Sequence, residues 1–199
     1  MQKPNNYDST SPFSRQEPLE LGGHILKIVK VEESTSKAGN PMILIYLDTD
    51  KSDKQPLYFK KRYDNDTREN KKWGCIVYQL VEDPRTGDCN QGLVTFHDTV
   101  SRSNSNFKLV WGDKYCDCFK GKLIGGVFGR EQYIKNINGK DKILFATKCF
   151  WFRTVDEIKS GVEIPEDKLL PANKLPNNPI IDPVSADFEE VDGDDDYPF

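Results

Sequence analysis

The chain has 199 residues, with 28 basic and 32 acidic side chains for a net charge of −4, five cysteines and two histidines. That length holds one domain with a sizeable core plus tails, and charge interrupts every apolar run well short of the roughly 20 residues a bilayer span needs, which excludes a membrane segment. Cys75, Cys89, Cys116, Cys118 and Cys149 cannot all pair, and no secretory apolar stretch precedes the body, so a reducing, cytoplasmic compartment is expected.

Residues 1–18 are rich in Asn, Ser, Pro and Gln without apolar period, and are expected as a loose segment. The folded domain is expected over 19–160, beginning with a β-branched strand from Gly23 to Val31 that Glu32-Glu33-Ser34 stops. Ser36-Lys37-Ala38-Gly39-Asn40-Pro41 is a turn cluster, and Met42 to Leu47 is the returning strand of a hairpin. Leu57-Tyr58-Phe59-Lys60-Lys61-Arg62-Tyr63 alternates as a third strand, with Tyr58, Lys60 and Arg62 on one face and Phe59, Lys61 and Tyr63 on the other. The period then lengthens: Trp73, Ile76, Val77 and Leu80 predict a helix capped by Asn70, and Leu93, Phe96 and Val100 predict a second that ends at Ser103-Asn104.

Extended structure is expected again over Phe107 to Trp111, Gly121 to Ile134 and Lys142 to Val155, the last two joined by an Asn138-Gly139 turn. Phe145, Phe150, Trp151 and Phe152 are assigned to the core, and Gly121, Gly125, Gly126 and Gly129 to bends or bulges. Thr154-Val155-Asp156-Glu157 has the spacing of a capping box, so a brief helix should precede Gly161. Prolines at 165, 171, 176, 179 and 183 make 161–181 a linker, and 182–199 an acidic tail. The element order predicts a mainly β fold, an OB-type five-stranded barrel with a helical insertion between strands 3 and 4.

Charge divides the chain. The last 18 residues carry eight acids and no Lys or Arg, whereas Glu20 to Arg153 holds 23 basic and 17 acidic residues, a surplus suited to phosphate. Binding single strands takes rings for bases and cations for phosphates. Tyr58, Lys60, Lys61, Arg62 and Tyr63 form one such mixture, Lys71, Lys72 and Trp73 a second, and Arg130, Tyr133 and Lys135 a third, with Lys148 and Arg153 extending the surface. Core packing is the ordinary fate of such rings, and Tyr58, Tyr63 and Tyr133 stand evenly between the two roles.

No catalytic motif accompanies this. Cys116-x-Cys118 lacks the spacing of a zinc site, His97 belongs to a helical apolar stripe, and no phosphate loop or nucleophile triad occurs, so neither cofactor nor enzyme activity is expected. The alternatives are a metal-dependent nuclease, with Asp48, Asp50 and Glu131 gathering Mg²⁺, or an acidic mimic of DNA built on the tail.

The tip Asp194-Asp195-Asp196-Tyr197-Pro198-Phe199 resembles the acidic end of bacterial single-stranded-DNA-binding proteins, Asp-Asp-Asp-Ile-Pro-Phe, at five of six positions. That resemblance implies docking on helicases, nucleases, primases or recombination mediators. A terminal ring beside a free carboxylate, preceded by a stiff Pro198 and three acids, suits a basic apolar pocket. Over about residues 20–155 the body is similar to phage-encoded single-stranded-DNA-binding proteins, through Lys37-Ala38-Gly39-Asn40-Pro41-Met42 and the helix reaching Ser103-Asn104 before an aromatic strand. Together these imply a coat for single-stranded DNA in replication, recombination or repair, compatible with a homo-oligomer.

Overall fold

The computed structural model describes residues 3, 17–137, 139–171 and 180–181. The acidic tail, with its tip, and most of the N-terminal segment lie outside the described residues. No helix among those described is long and apolar enough to cross a membrane.

The fold is mainly β. Five antiparallel strands, β1 (Gly22–Thr35), β2 (Pro41–Thr49), β3 (Ile76–Leu80), β4 (Leu123–Ile137) and β5 (Lys140–Arg153), lie in the order β3-β2-β1-β4-β5. A two-residue strand, β6 (Ile180–Ile181), adds in parallel to the far edge of β5. The expected first hairpin and closing hairpin both form, with Gly39 and Gly139 taking the positive φ their turns require. β1 is long enough to serve two neighbours. Gly22 to Lys27 pair with β4, Gly22 standing opposite Phe128, and Leu26 to Thr35 pair with β2 across a register shift between Ile28 and Lys30. Among the described residues β3 and β5 do not pair, so the sheet is open there. Helix α2 (Gln91–Ser103) contacts β3, β4 and β5.

Two expected elements exchange identities. The run over Leu57–Tyr63 is not a strand but helix α1 (Tyr58–Asn65), whose first two residues, Tyr58 and Phe59, are both buried. Its opening N–H groups are satisfied from β2: Thr49 Oγ1 accepts Tyr58 N at 2.8 Å, and Asp48 Oδ1 accepts Phe59 N at 2.9 Å and Lys60 N at 3.3 Å. The expected helix over Trp73–Leu80 is instead β3, paired with β2 from Met42 opposite Leu80 to Tyr46 opposite Ile76. All five β3 residues are half-buried, so no alternation betrayed the strand. Phe107–Trp111 is not a strand either.

The second expected helix is α2. Asn90 caps it by accepting Gly92 N at 2.8 Å, and Asn104 ends it, giving its side-chain amide to Val100 O and Leu123 O and taking Leu123 N. Helix α3 (Val155–Ser160) begins with the expected capping box. The core gathers Leu26, Ile28, Ile43, Ile45 and Leu47 from the sheet, Phe59 from α1, Phe96 from α2, Phe119 from a 3-10 turn (Cys116–Phe119), and Phe128 from β4. Phe152 joins them, but Phe145 and Phe150 are only half-buried and Trp151 is 48% exposed, against the assignment of all four to the core. The run carrying them ends on the sheet's outer strand, where one side chain in two faces outward.

Of the glycines expected at bends, Gly121 alone has a positive φ. Gly125, Gly126 and Gly129 serve close approach. A Cβ on Gly129 would lie 2.4 Å from the Phe150 ring, and one on Gly125 would meet Ile158 at the same distance.

Candidate nucleic-acid interface

The sheet distributes the sequence-predicted binding residues over three places. On α1, Tyr58 is 5% exposed and packs edge-on to Phe59, so its ring serves the core. Lys60 and Lys61 are exposed, and Arg62 half-buried. Lys60 Nζ lies 2.6 Å from Asp64 in an i,i+4 pair that raises the lysine above its ordinary pKa. Because α1 is a helix, the two alternating faces expected of a strand do not exist there.

The second place joins the first. Tyr63 and Trp73 stand ring to ring at 5.5 Å, and Lys71 Nζ sits 4.5 Å above Tyr63. Trp73 Nε1 donates to Leu47 O at 2.7 Å, which fixes the indole at the core's margin. Lys72, beside it, is exposed.

The third place is the β4–β5 hairpin. β1 leaves β4 at Phe128, and from there β4 and β5 run on together as a hairpin arm without β1. Alternation divides the expected cluster: Arg130 takes one face, while Tyr133 and Lys135 take the other, with Lys142 opposite Lys135 and Lys148 opposite Gly129. Lys148 Nζ lies 2.9 Å from Glu131. Arg130 lies over the Phe145 ring at 5.1 Å and holds Asp167 through two bonds, Nε to Oδ1 at 2.9 Å and Nη2 to Oδ2 at 2.6 Å. Arg153, exposed at the end of β5, donates to Phe152 O at 3.0 Å.

Other rings were not singled out by sequence. Tyr46 and Tyr78 occupy neighbouring positions on β2 and β3, away from the core face, and Lys30 Nζ stands 4.1 Å over the Tyr46 ring. Burial and a hydrogen bond with Glu32 push the Tyr46 phenol up to about 12. The signal lay in Met42, Leu44 and Tyr46 interleaving with buried Ile43, Ile45 and Leu47, but an unbroken apolar run does not announce which half faces out. No family model matches the chain, and no curated protein does.

Three acids that a nuclease reading would gather have separate employments. Asp48 is buried at the start of α1, Asp50 accepts Ser52 N at 2.9 Å, and Glu131 pairs with Lys148. No group of three or more His, Cys, Asp or Glu among the described residues is placed to hold a metal. Burial pushes the Asp48 carboxyl above its usual range, against the backbone N–H groups of Lys60 and Phe59 that pull it down.

His97 is half-buried, as its stripe position implied. It stacks on Phe119 at 5.6 Å with Nε2 2.7 Å from the Tyr115 hydroxyl, and burial lowers its pKa. All five cysteines are free thiols; burial raises Cys75 well above its usual value and Cys149 to about 12.

Proposed function

We propose that the protein binds single-stranded DNA on an OB-type sheet, without bond chemistry, and recruits replication, recombination or repair proteins through its acidic C-terminal tip. The observation that carries the reading is the strand order β3-β2-β1-β4-β5, all antiparallel, with α2 between β3 and β4 in sequence. That is the order of an OB barrel left open between β3 and β5. Folds of this kind use the strand 2–3 face and the loops joining strands 1 to 2 and 4 to 5. Here that face carries Tyr46 and Tyr78; the first loop carries exposed Lys37, and the second is flanked by Lys135, Lys140 and Lys142.

The likeness of the body to phage single-stranded-DNA-binding proteins, and of the tip to the bacterial ones, supports the same division of labour. So does the basic surplus of 23 over 17 between Glu20 and Arg153, which also weighs against a DNA mimic. A tethered tip holds its partner at raised local concentration near the bound strand.

The test is anisotropy of a fluorescein-labelled thymidine oligonucleotide, titrated with full-length protein against unlabelled duplex and across a salt series. Single strand should be preferred and affinity should fall with salt; equal competition by duplex, or no salt dependence, sinks the reading. In the same assay, removing Phe199 should leave affinity unchanged while capture of a helicase or primase partner is lost. Unchanged capture would reduce the tail to a solubilising end.

A further inference from the structure

After α3 the chain does not leave the body at once. Residues 162–171, read in sequence as the start of a linker, pass Gly23 and Gly22 at the head of β1 and then reach the edge of β4 that opens where β1 departs. Lys168 bridges to Glu131 in parallel, its N–H donating to Arg130 O and its carbonyl accepting Gln132 N, both at 2.8 Å, and Leu170 N donates to Gln132 Oε1 at 3.1 Å. Consecutive side chains of this strap then go to opposite sides of the strand. Asp167 takes the Arg130 guanidinium in a two-bond fork, and Lys168 Nζ lies 4.2 Å over the Phe150 ring.

A planar guanidinium gripping both oxygens of an anion, with a ring beneath it, is the geometry proteins use for phosphate as well as carboxylate. A cation above a ring occupies the face on which a base would stack. Two adjacent strap residues thus cover one of each feature that a single strand requires.

The strap is also lightly held. Ile164 is 62% and Leu169 65% exposed, so apolar burial contributes little there, and the Arg130–Asp167 pair keeps side-chain exposures of 37% and 26%. Segments fixed by a few backbone bonds and a part-exposed ion pair open at low cost.

The geometry points to Arg130, seated on Phe145, as a phosphodiester subsite that Asp167 fills while no strand is bound, so that strap and strand compete for the β4–β5 arm. This rests on the single-strand reading. Binding exchanges one anion for another on the same fork, and the strap must leave the β4 edge when it loses that partner.

The experiment compares full-length wild type, Asp167→Asn, Arg130→Ala and the double variant by the same anisotropy titration, with amide exchange of wild type measured with and without the oligonucleotide. Asp167→Asn should bind about two- to fivefold tighter, the factor equivalent to a part-exposed ion pair. Arg130→Ala should bind more weakly, and adding Asp167→Asn to it should gain nothing. In wild type the amides of Lys168 and Leu170 should exchange faster once the strand is present. Equal affinity of Asp167→Asn and wild type, or strand binding that leaves those amides as protected as before, overturns the proposal while the single-strand reading stands. If no variant binds the oligonucleotide, the reading itself falls and the subsite with it.

Discussion

From Leu123 to Phe128 β4 pairs with β1, and from Gly125 onward with β5 as well; Ile124, Val127 and Phe128 are at most 2% exposed. From Gly129 to Ile137 the same strand keeps β5 but has left β1, the strap meeting it only around Glu131, and its side chains include Arg130, Glu131, Tyr133 and Lys135. One strand therefore belongs first to the core and then to a charged arm. The lesson is that burial and surface charge can be written into successive halves of one element: apolar area fixes the first half, and paired or exposed charge characterises the second.

The sharpest way to break this comparison is to cut both halves and measure both properties. Phe128 is fully buried, stacked with Phe59 at 6.2 Å and edge-on to His24 at 5.4 Å. Phe128→Ala should cost about 3–5 kcal/mol in urea unfolding, through lost burial and the cavity left behind. Joint reversal of Lys135 and Lys142 to Glu should change stability by about 0.5 kcal/mol or less per site. It should weaken oligonucleotide binding and flatten the log–log salt slope by about 1.4 for two lost phosphate contacts. An arm variant that unfolds the protein, or leaves the slope unaltered, would erase the distinction.

A second test asks what fixes the start of β1, where the body hands over to the arm. His24 and Asp53 are both buried, 2.9 Å apart; Asp53 also accepts Ile25 N at 2.7 Å and Gln55 N at 2.9 Å, and His24 Nε2 lies 2.9 Å from Glu20 O. Burial alone would raise the Asp53 carboxyl, but the His24 contact and the two backbone N–H groups outweigh it and hold the group below its ordinary 3.8. A lowered carboxylate stabilises the fold fully above its unfolded value, and that contribution is lost as pH falls through the lower folded value. Asp53→Asn should therefore cost about 2–3 kcal/mol at neutral pH. The gap to wild type should close only as pH drops below about 3.8; a gap already closed at pH 5 would show that Asp53 is not the ionised hub.

How far the sequence foretold this follows from which interactions are local. The turn at Gly39, the closing hairpin at Gly139, the end of α2 at Asn104 and the capping box of α3 depend on residues within a few positions, and they are legible. Helix α1 is not, because its cap is Thr49 and Asp48, nine and more residues earlier in sequence and across a loop. β3 is not, because its strand character comes from pairing with β2, and both of its faces are half covered. The binding candidates inherit those errors. Tyr58 sinks into the core once its segment turns helical, while Tyr46 and Tyr78 emerge only when β2 and β3 are set side by side. The strap was hidden for a related reason: Pro165 and Pro171 rule out a central strand but permit a short edge pairing between them.

The smallest expected effect probes the joint between the two regions. Thr154 Oγ1 accepts Glu157 N at 3.2 Å, while the Thr154 hydroxyl and backbone N–H each donate to Glu157 Oε2 at 2.7 Å and hold the Glu157 carboxyl below its usual range. The helix they start sets Ile158 against Gly23 and Gly125 and sends the chain on into the strap. Thr154→Ala should cost about 1 kcal/mol of global stability. Its larger signature should be local, with faster amide exchange at Lys168 than at Leu26 or Ile45, because a frayed α3 loosens the strap's attachment while the core strands keep theirs. Uniform acceleration across all three amides would mean that strap and core open together, and that the body and arm are one cooperative unit after all.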